Sequence, residues 1–174
     1  MYPKAYIDYL VYFHGDRDYF ECHEVLEEYW KQTDNDIVWV GFIQIAVGLY
    51  HHRRGNFKGA QKMIANAIAI LEAQKDTVEQ LGINLKTLLT TLQSQLNAII
   101  ANEPYISINL PIQDESLLTT CKNACSEKGL TWGKSSDLTN NFLINKHTLR
   151  DRTEVITERA NQLAKRKKKN KGSC

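Results

Sequence analysis

Apolar and polar positions alternate with a helical period through most of the chain. Tyr6, Ile7, Tyr9, Leu10, Val11 and Phe13 predict a short helix over about residues 2–14, ended by Gly15. Asp18 followed by Glu21 forms a capping-box pattern that opens a second helix over about 18–33. The polar connector at 33–36 predicts a tight antiparallel turn into an apolar helix over 36–53, closed near Gly55. Amphipathic periods predict further helices over 57–74 and 84–101, the latter with Asn84 as its N-cap. At Glu103 the texture changes: EPYISINLPIQ has two prolines and alternating Ile106, Ile108 and Leu110, the pattern of an extended strap. Asp114 then opens a helix ending at Gly129, and 130–147 carries no clear period. Leu149, Ile156, Ala160 and Leu163 predict a last helix from Thr148 into a basic tail. The fold class is all-α, a multi-helical bundle built on an antiparallel helix pair. A helical core domain over 1–102 carries a C-terminal embellishment over 103–174.

Composition changes this picture little. With 174 residues, 43% hydrophobic and 24% charged, the chain is neither disordered nor low-complexity. Its most apolar run, 37–50, is 14 residues long and contains Gln44, whereas a membrane span needs about 20 apolar residues. A buried helix is expected there, and no membrane association. The N-terminus has neither the basic nor the apolar region of a signal peptide, so a cytoplasmic location is expected. Cys121 and Cys125 are spaced i,i+4 and make at most half a zinc site with His147; buried, reduced thiols are the simpler reading.

Charge is more informative than its formal total of +2, because six basic residues fall within 165–171. Residues 1–36, by contrast, hold three basic and nine acidic side chains. The basic tail has no stacking aromatics or basic groove beside it, so specific nucleic-acid binding is not expected and a solvated helix end is.

The candidate chemistry lies on the second helix. At about 100° per residue, Tyr19, Cys22, Val25, Leu26, Tyr29 and Trp30 form its apolar arc, with His23 and Glu27 on the arc's margin. Being i,i+4, the imidazole and the carboxylate lie one above the other and can meet one divalent metal ion. Glu24 and His51 are weaker candidate ligands; Gln44, Trp30, His52 and Arg54 are weaker still, as ligand-binding residues. On the apolar helix, Gly41, Gln44, Gly48, His51 and His52 share one stripe. Glycines there imply close backbone approach, and antiparallel pairing is expected to turn this stripe toward His23 and Glu27. The same His and Glu can equally satisfy one another in a structural network, balanced by Arg53 or Arg54.

The segments FECHEVLEEYW (20–30) and GFIQIAVGLYHHRRGNFKGA (41–60) resemble the bacterial and archaeal family catalogued as domain of unknown function 309. Its pattern of His, three residues, Glu, two residues and Trp or Tyr is met by His23, Glu27 and Trp30. The resemblance covers about residues 15–75, and the later PYISINLPI and HTLRDRTEVI are similar to the longer, Bacillus-type members. It implies a helical fold and a suspected role for the His-Glu motif in metal binding, without an established reaction. If the chain is an enzyme, metal-dependent hydrolysis is the first reaction class. Arg17 and His23 also resemble the Arg-to-His pair of HEPN-class ribonucleases, though near the wrong helix for that fold. The competing class is a non-enzymatic interaction or scaffold protein, open to homo-oligomerisation. In it the motif is structural, and Tyr2, Tyr6, Tyr9, Tyr12 and Phe13 form a docking surface.

Overall fold

The computed structural model describes residues 1–149 and 159–167. Within residues 1–149 its helices are α1 (Lys4–His14), α2 (Tyr19–Gln32), α3 (Ile37–Arg53), α4 (Phe57–Ala73), α5 (Lys75–Gln80), α6 (Leu85–Ile100), α7 (Glu115–Glu127), α8 (Asn141–Ile144) and α9 (Lys146–Leu149). Among the described residues the only β pairing is an isolated bridge between Ile83 and Ile112. The all-α expectation therefore holds. No described helix is long and apolar enough to cross a membrane.

Local chemistry sets the helix starts. The side chains of Asp18, Asp36, Asn56, Asn84 and Asp114 each accept a backbone N–H of the first turn, from Glu21, Val38, Gly59, Thr87 and Ser116 respectively. Each such cap satisfies a donor the helix cannot, typically worth about 1 kcal/mol. Gly55 and Gly129, just beyond α3 and α7, take the positive φ that favours glycine. The short helix α5 falls between the helices predicted over 57–74 and 84–101; its six residues are too few to show a period.

Contacts divide the chain into a compact unit, Met1–Ile144, and a second that begins at Asn145. In the first unit α3 packs between α2 and α4, α1 lies against α2 and α7, and α4 against α6. Tyr6, Tyr9 and Phe13 are fully buried, with the Tyr6 and Tyr9 hydroxyls donating to the carbonyls of Leu81 and Phe42 at 2.8 and 2.7 Å. Three of the five aromatics expected to form a docking surface are therefore core, the two tyrosine hydroxyls staying bonded, while Tyr2 and Tyr12 are half-buried. In the second unit, residues 159–167 are helical and exposed; the remainder of the expected last helix, 150–158, and the tail residues 168–171 lie outside the described residues.

Segment 103–113 is extended, as the prolines require, and is fastened to the helices by buried basic side chains. Arg17, 1% exposed and at φ 58°, donates to the carbonyls of Lys134 and Ile108 and to Asn109 Oδ1. Arg53 donates to the carbonyls of Arg17 and Leu143 at 2.7 and 3.1 Å and to Ser136 Oγ, and its guanidinium lies 4.7 Å from the Tyr19 ring centroid. His14 donates from Nδ1 to the Leu10 carbonyl, accepts the Leu110 N–H at Nε2, and stacks on Trp132 at 4.2 Å. Arg53 also stands in the last turn of α3, where its positive charge suits the helix dipole.

Both mid-helix glycines of α3 are close-approach positions, but toward α4. A Cβ on Gly41 would lie 2.8 Å from Leu71 Cδ2, and one on Gly48 2.6 Å from Ile64 Cδ1. Gly48→Ala is expected to lose about 1–2 kcal/mol, because overpacking a buried isoleucine outweighs the roughly 1 kcal/mol gained in helix propensity. Urea unfolding of the variant checks this; a stabilised Gly48→Ala would show that the α3–α4 contact yields freely.

Candidate metal centre

The exposed margin of α2 brings His23, Glu24 and Glu27 together, with one ligand atom from each lying within 4.8 Å of the others. Among the described residues this is the only group of three or more metal-ligating side chains so arranged. His23 Nε2 is 2.7 Å from Glu27 Oε2, and His23 Nδ1 is 3.3 Å from Glu24 Oε1. The second Glu27 oxygen, Oε1, lies 3.3 Å from Lys31 Nζ. The i,i+4 steps from His23 to Glu27 and from Glu27 to Lys31 stack the three side chains along one face, as helix geometry demands.

Burial is partial, with side-chain exposures of 29% for His23, 34% for Glu27 and 42% for Glu24. Phe20 backs the imidazole edge to face at 6.1 Å and itself meets Tyr50 of α3 at 6.2 Å, so the ring is braced from the bundle side. Beside the cluster opens a hollow of about 360 Å³ lined by Glu21, Glu24, Val25, Glu27, Glu28 and Lys31. Four carboxylates against one ammonium make it attractive to cations.

The other candidate residues do not join this cluster. The glycine stripe faces α4, so the antiparallel pairing expected from the sequence turned α3 the wrong way about its axis. His51 Nδ1 is 3.3 Å from both Arg54 Nη1 and Asn56 Nδ2, a local arrangement at the end of α3. Arg54 is exposed, with its guanidinium 5.9 Å from the Tyr50 ring centroid. His52 is 2% exposed and uses both nitrogens: Nε2 donates to the Glu103 carbonyl at 2.8 Å, and Nδ1 accepts from Gln95 Nε2 at 2.8 Å. It is a fastening of the extended segment rather than a ligand-binding residue. Gln44 Oε1 and Trp30 Nε1 are buried without a hydrogen-bond partner.

Two alternative readings are corrected. Arg17 commits its guanidinium to three acceptors of the extended segments, which removes it from any Arg-to-His catalytic pair with His23. Cys121 and Cys125 are fully buried thiols, raised by desolvation, and no zinc-type cluster forms around them among the described residues. Lys31 went unnoticed in the sequence although its i,i+4 spacing from Glu27 was there to be read. The burial of Arg17, Arg53 and His14 had no local signal at all.

The model of the family described as domain of unknown function (DUF309) matches residues 6–63, which include most of α1, all of α2 and α3, and the start of α4. The chain is also 55% identical over 171 residues, 97% of its own length and 98% of the relative's, to the uncharacterized protein YpuF of Bacillus subtilis (strain 168). No solved structure matches it.

Proposed function

We propose, for a chain that belongs to the DUF309 family, that His23 and Glu27 bind one divalent metal ion on the margin of α2. The observation that carries this reading is the convergence of an imidazole nitrogen and two carboxylates within 4.8 Å beside an acidic hollow. Mixed imidazole and carboxylate donors suit zinc, manganese, nickel or cobalt better than calcium or magnesium. A site with so few protein ligands leaves coordination positions to water or to a bound molecule. If the protein is an enzyme, metal-assisted hydrolysis is the chemistry such positions serve. Cytoplasmic placement belongs to the same reading, since a reducing compartment keeps Cys22, Cys121 and Cys125 as thiols.

A second reading is favoured by the contacts already made: both His23 nitrogens face a carboxylate, and the two Glu27 oxygens face His23 and Lys31. On that view the motif is a surface charge network of an interaction or scaffold protein. Magnitudes separate the two. Exposed ion pairs contribute about 0–1 kcal/mol, whereas an ion at 100 times its Kd stabilises the folded state by about 2.7 kcal/mol. Elemental analysis of untagged protein and thermal unfolding with and without added Zn²⁺ or Mn²⁺ decide between them. Expected are one ion per chain and a metal-dependent rise in Tm, both abolished in the His23→Ala/Glu27→Ala double variant. Absence of metal from the wild-type protein, with no metal-dependent Tm, would leave the network reading in place.

A further inference from the structure

The second unit carries the densest run of charge in the chain. Residues 159–167 are helical and exposed, and none of Arg159, Lys165, Arg166 and Lys167 enters an ion pair among the described residues. The sequence continues with Lys168, Lys169 and Lys171, and no acidic residue follows Glu158. We propose that this basic segment binds double-stranded DNA through its phosphates, without sequence preference. None of its residues belongs to the group at His23, so this inference is independent of the metal-binding reading.

Spacing and direction select that partner. The three successive cations at 165–167 rise along the helix at about 1.5 Å per residue. Duplex DNA carries one negative charge per about 1.7 Å of its axis, so the two charge densities match. Successive side chains leave a helix about 100° apart, which sends Lys165, Arg166 and Lys167 to three different sides. A bilayer surface is flat and meets one side of a helix. The major groove of DNA instead admits an α-helix between two walls of phosphate, where cations on several sides find partners at once. The apolar content also fails for lipid: Leu163, 54% exposed, is the only bulky apolar side chain between 159 and 171. Helices that lie in a membrane interface bury a whole face of such side chains. Double-stranded RNA has a major groove too deep and narrow for side chains to enter, which leaves DNA as the duplex that fits. The segment holds no aromatic ring on which unpaired bases would stack, and this favours the duplex over single strands.

The experiment measures fluorescence anisotropy of a labelled DNA duplex of about 20 base pairs with the full-length protein, from about 50 to 200 mM NaCl. Each phosphate neutralised contributes about −0.9 to the slope of log K against log[NaCl], so a wild-type slope between about −3 and −5 is expected. Two duplexes of unrelated sequence are expected to bind alike, and an RNA duplex more weakly. Full-length Lys165→Gln/Arg166→Gln/Lys167→Gln is expected to lose about half of the slope and at least about 10-fold in affinity at low salt. Adding Lys168→Gln/Lys169→Gln/Lys171→Gln is expected to bring the slope near zero. Because the replaced side chains at 165–167 are exposed, both variants are expected to keep the wild-type Tm, so loss of folding does not mimic the result. Wild-type protein that leaves the duplex unbound at low salt overturns the proposal, as does the same slope in wild type and the sixfold variant. Equal binding to the RNA duplex overturns the assignment to DNA. Retention on vesicles of phosphatidylserine and phosphatidylcholine, without binding to the duplex, overturns it as well and gives the segment to an anionic lipid surface.

Discussion

Arg17→Ala is expected to cost at least about 3 kcal/mol of folding stability, more than any substitution at the candidate metal centre. Its guanidinium is the shared partner of the Lys134 and Ile108 carbonyls and Asn109 Oδ1, so removing it strips the partner from three part-buried acceptors and leaves a cavity where a fully buried side chain stood. Each buried acceptor left unsatisfied costs about 1–3 kcal/mol, and the vacated volume adds to that. Lysine will not rescue, because a single ammonium cannot serve acceptors spread around a planar fork. Glycine offers an internal control: Arg17 sits at φ 58°, where an L side chain is strained by about 1–2 kcal/mol. Arg17→Gly should therefore be more stable than Arg17→Ala by about 1 kcal/mol, although both lose the same bonds. Urea unfolding measures the difference, and limited proteolysis is expected to cut first within 103–140. An Arg17→Ala protein within 1 kcal/mol of wild type would mean that the extended segments are held by something other than this side chain.

Acid will loosen the same region through His14. Burial lowers its pKa from 6.5 to about 3, opposed in part by the bond to the Leu10 carbonyl and assisted by nearby Arg17. The folded state thus binds fewer protons than the unfolded one over that window, so stability rises with pH. The contribution is complete above pH 6.5, declines as the pH falls, and is exhausted near the folded pKa of about 3. At about 1.4 kcal/mol for each unit of pKa difference, the loss reaches roughly 3 kcal/mol by pH 4. The structural cause is plain: a protonated Nε2 would point a hydrogen at the Leu110 N–H it now accepts from. Measured between pH 8 and pH 4, the slope of unfolding free energy against pH should be steeper in wild type than in His14→Gln. The variant starts from a lower stability because it loses the stack on Trp132. Parallel slopes would show that His14 does not titrate with folding.

The candidate metal centre was legible because all of it lies on one helix. His23, Glu24, Glu27 and Lys31 span nine residues, and helical periodicity alone brings them to one margin of α2. What the sequence could not supply was which nitrogen faces which carboxylate, since that depends on side-chain rotation about a fixed backbone. The expected addition of Gln44 and His51 failed because it required the rotation of α3 about its own axis. That helix is apolar nearly all the way round, so its pattern does not say which neighbour receives the glycine stripe. The stripe went to Leu71 and Ile64 on α4.

The sequence by itself determined the class of the fold and where most of its helices begin, because caps and amphipathic periods act over a few residues. Asp18, Asp36, Asn56, Asn84 and Asp114 each bond to a neighbour two or three residues away, and no distant part of the chain is needed to place them. Only the tertiary structure decided what His14, Arg17, His52 and Arg53 do. Their segment-fastening partners stand between 51 and 117 positions away, and the direct link from Arg53 to the Arg17 carbonyl spans 36. No local rule buries a guanidinium. It becomes tolerable inside only when several remote carbonyls converge on it, and that convergence exists once the whole unit has folded.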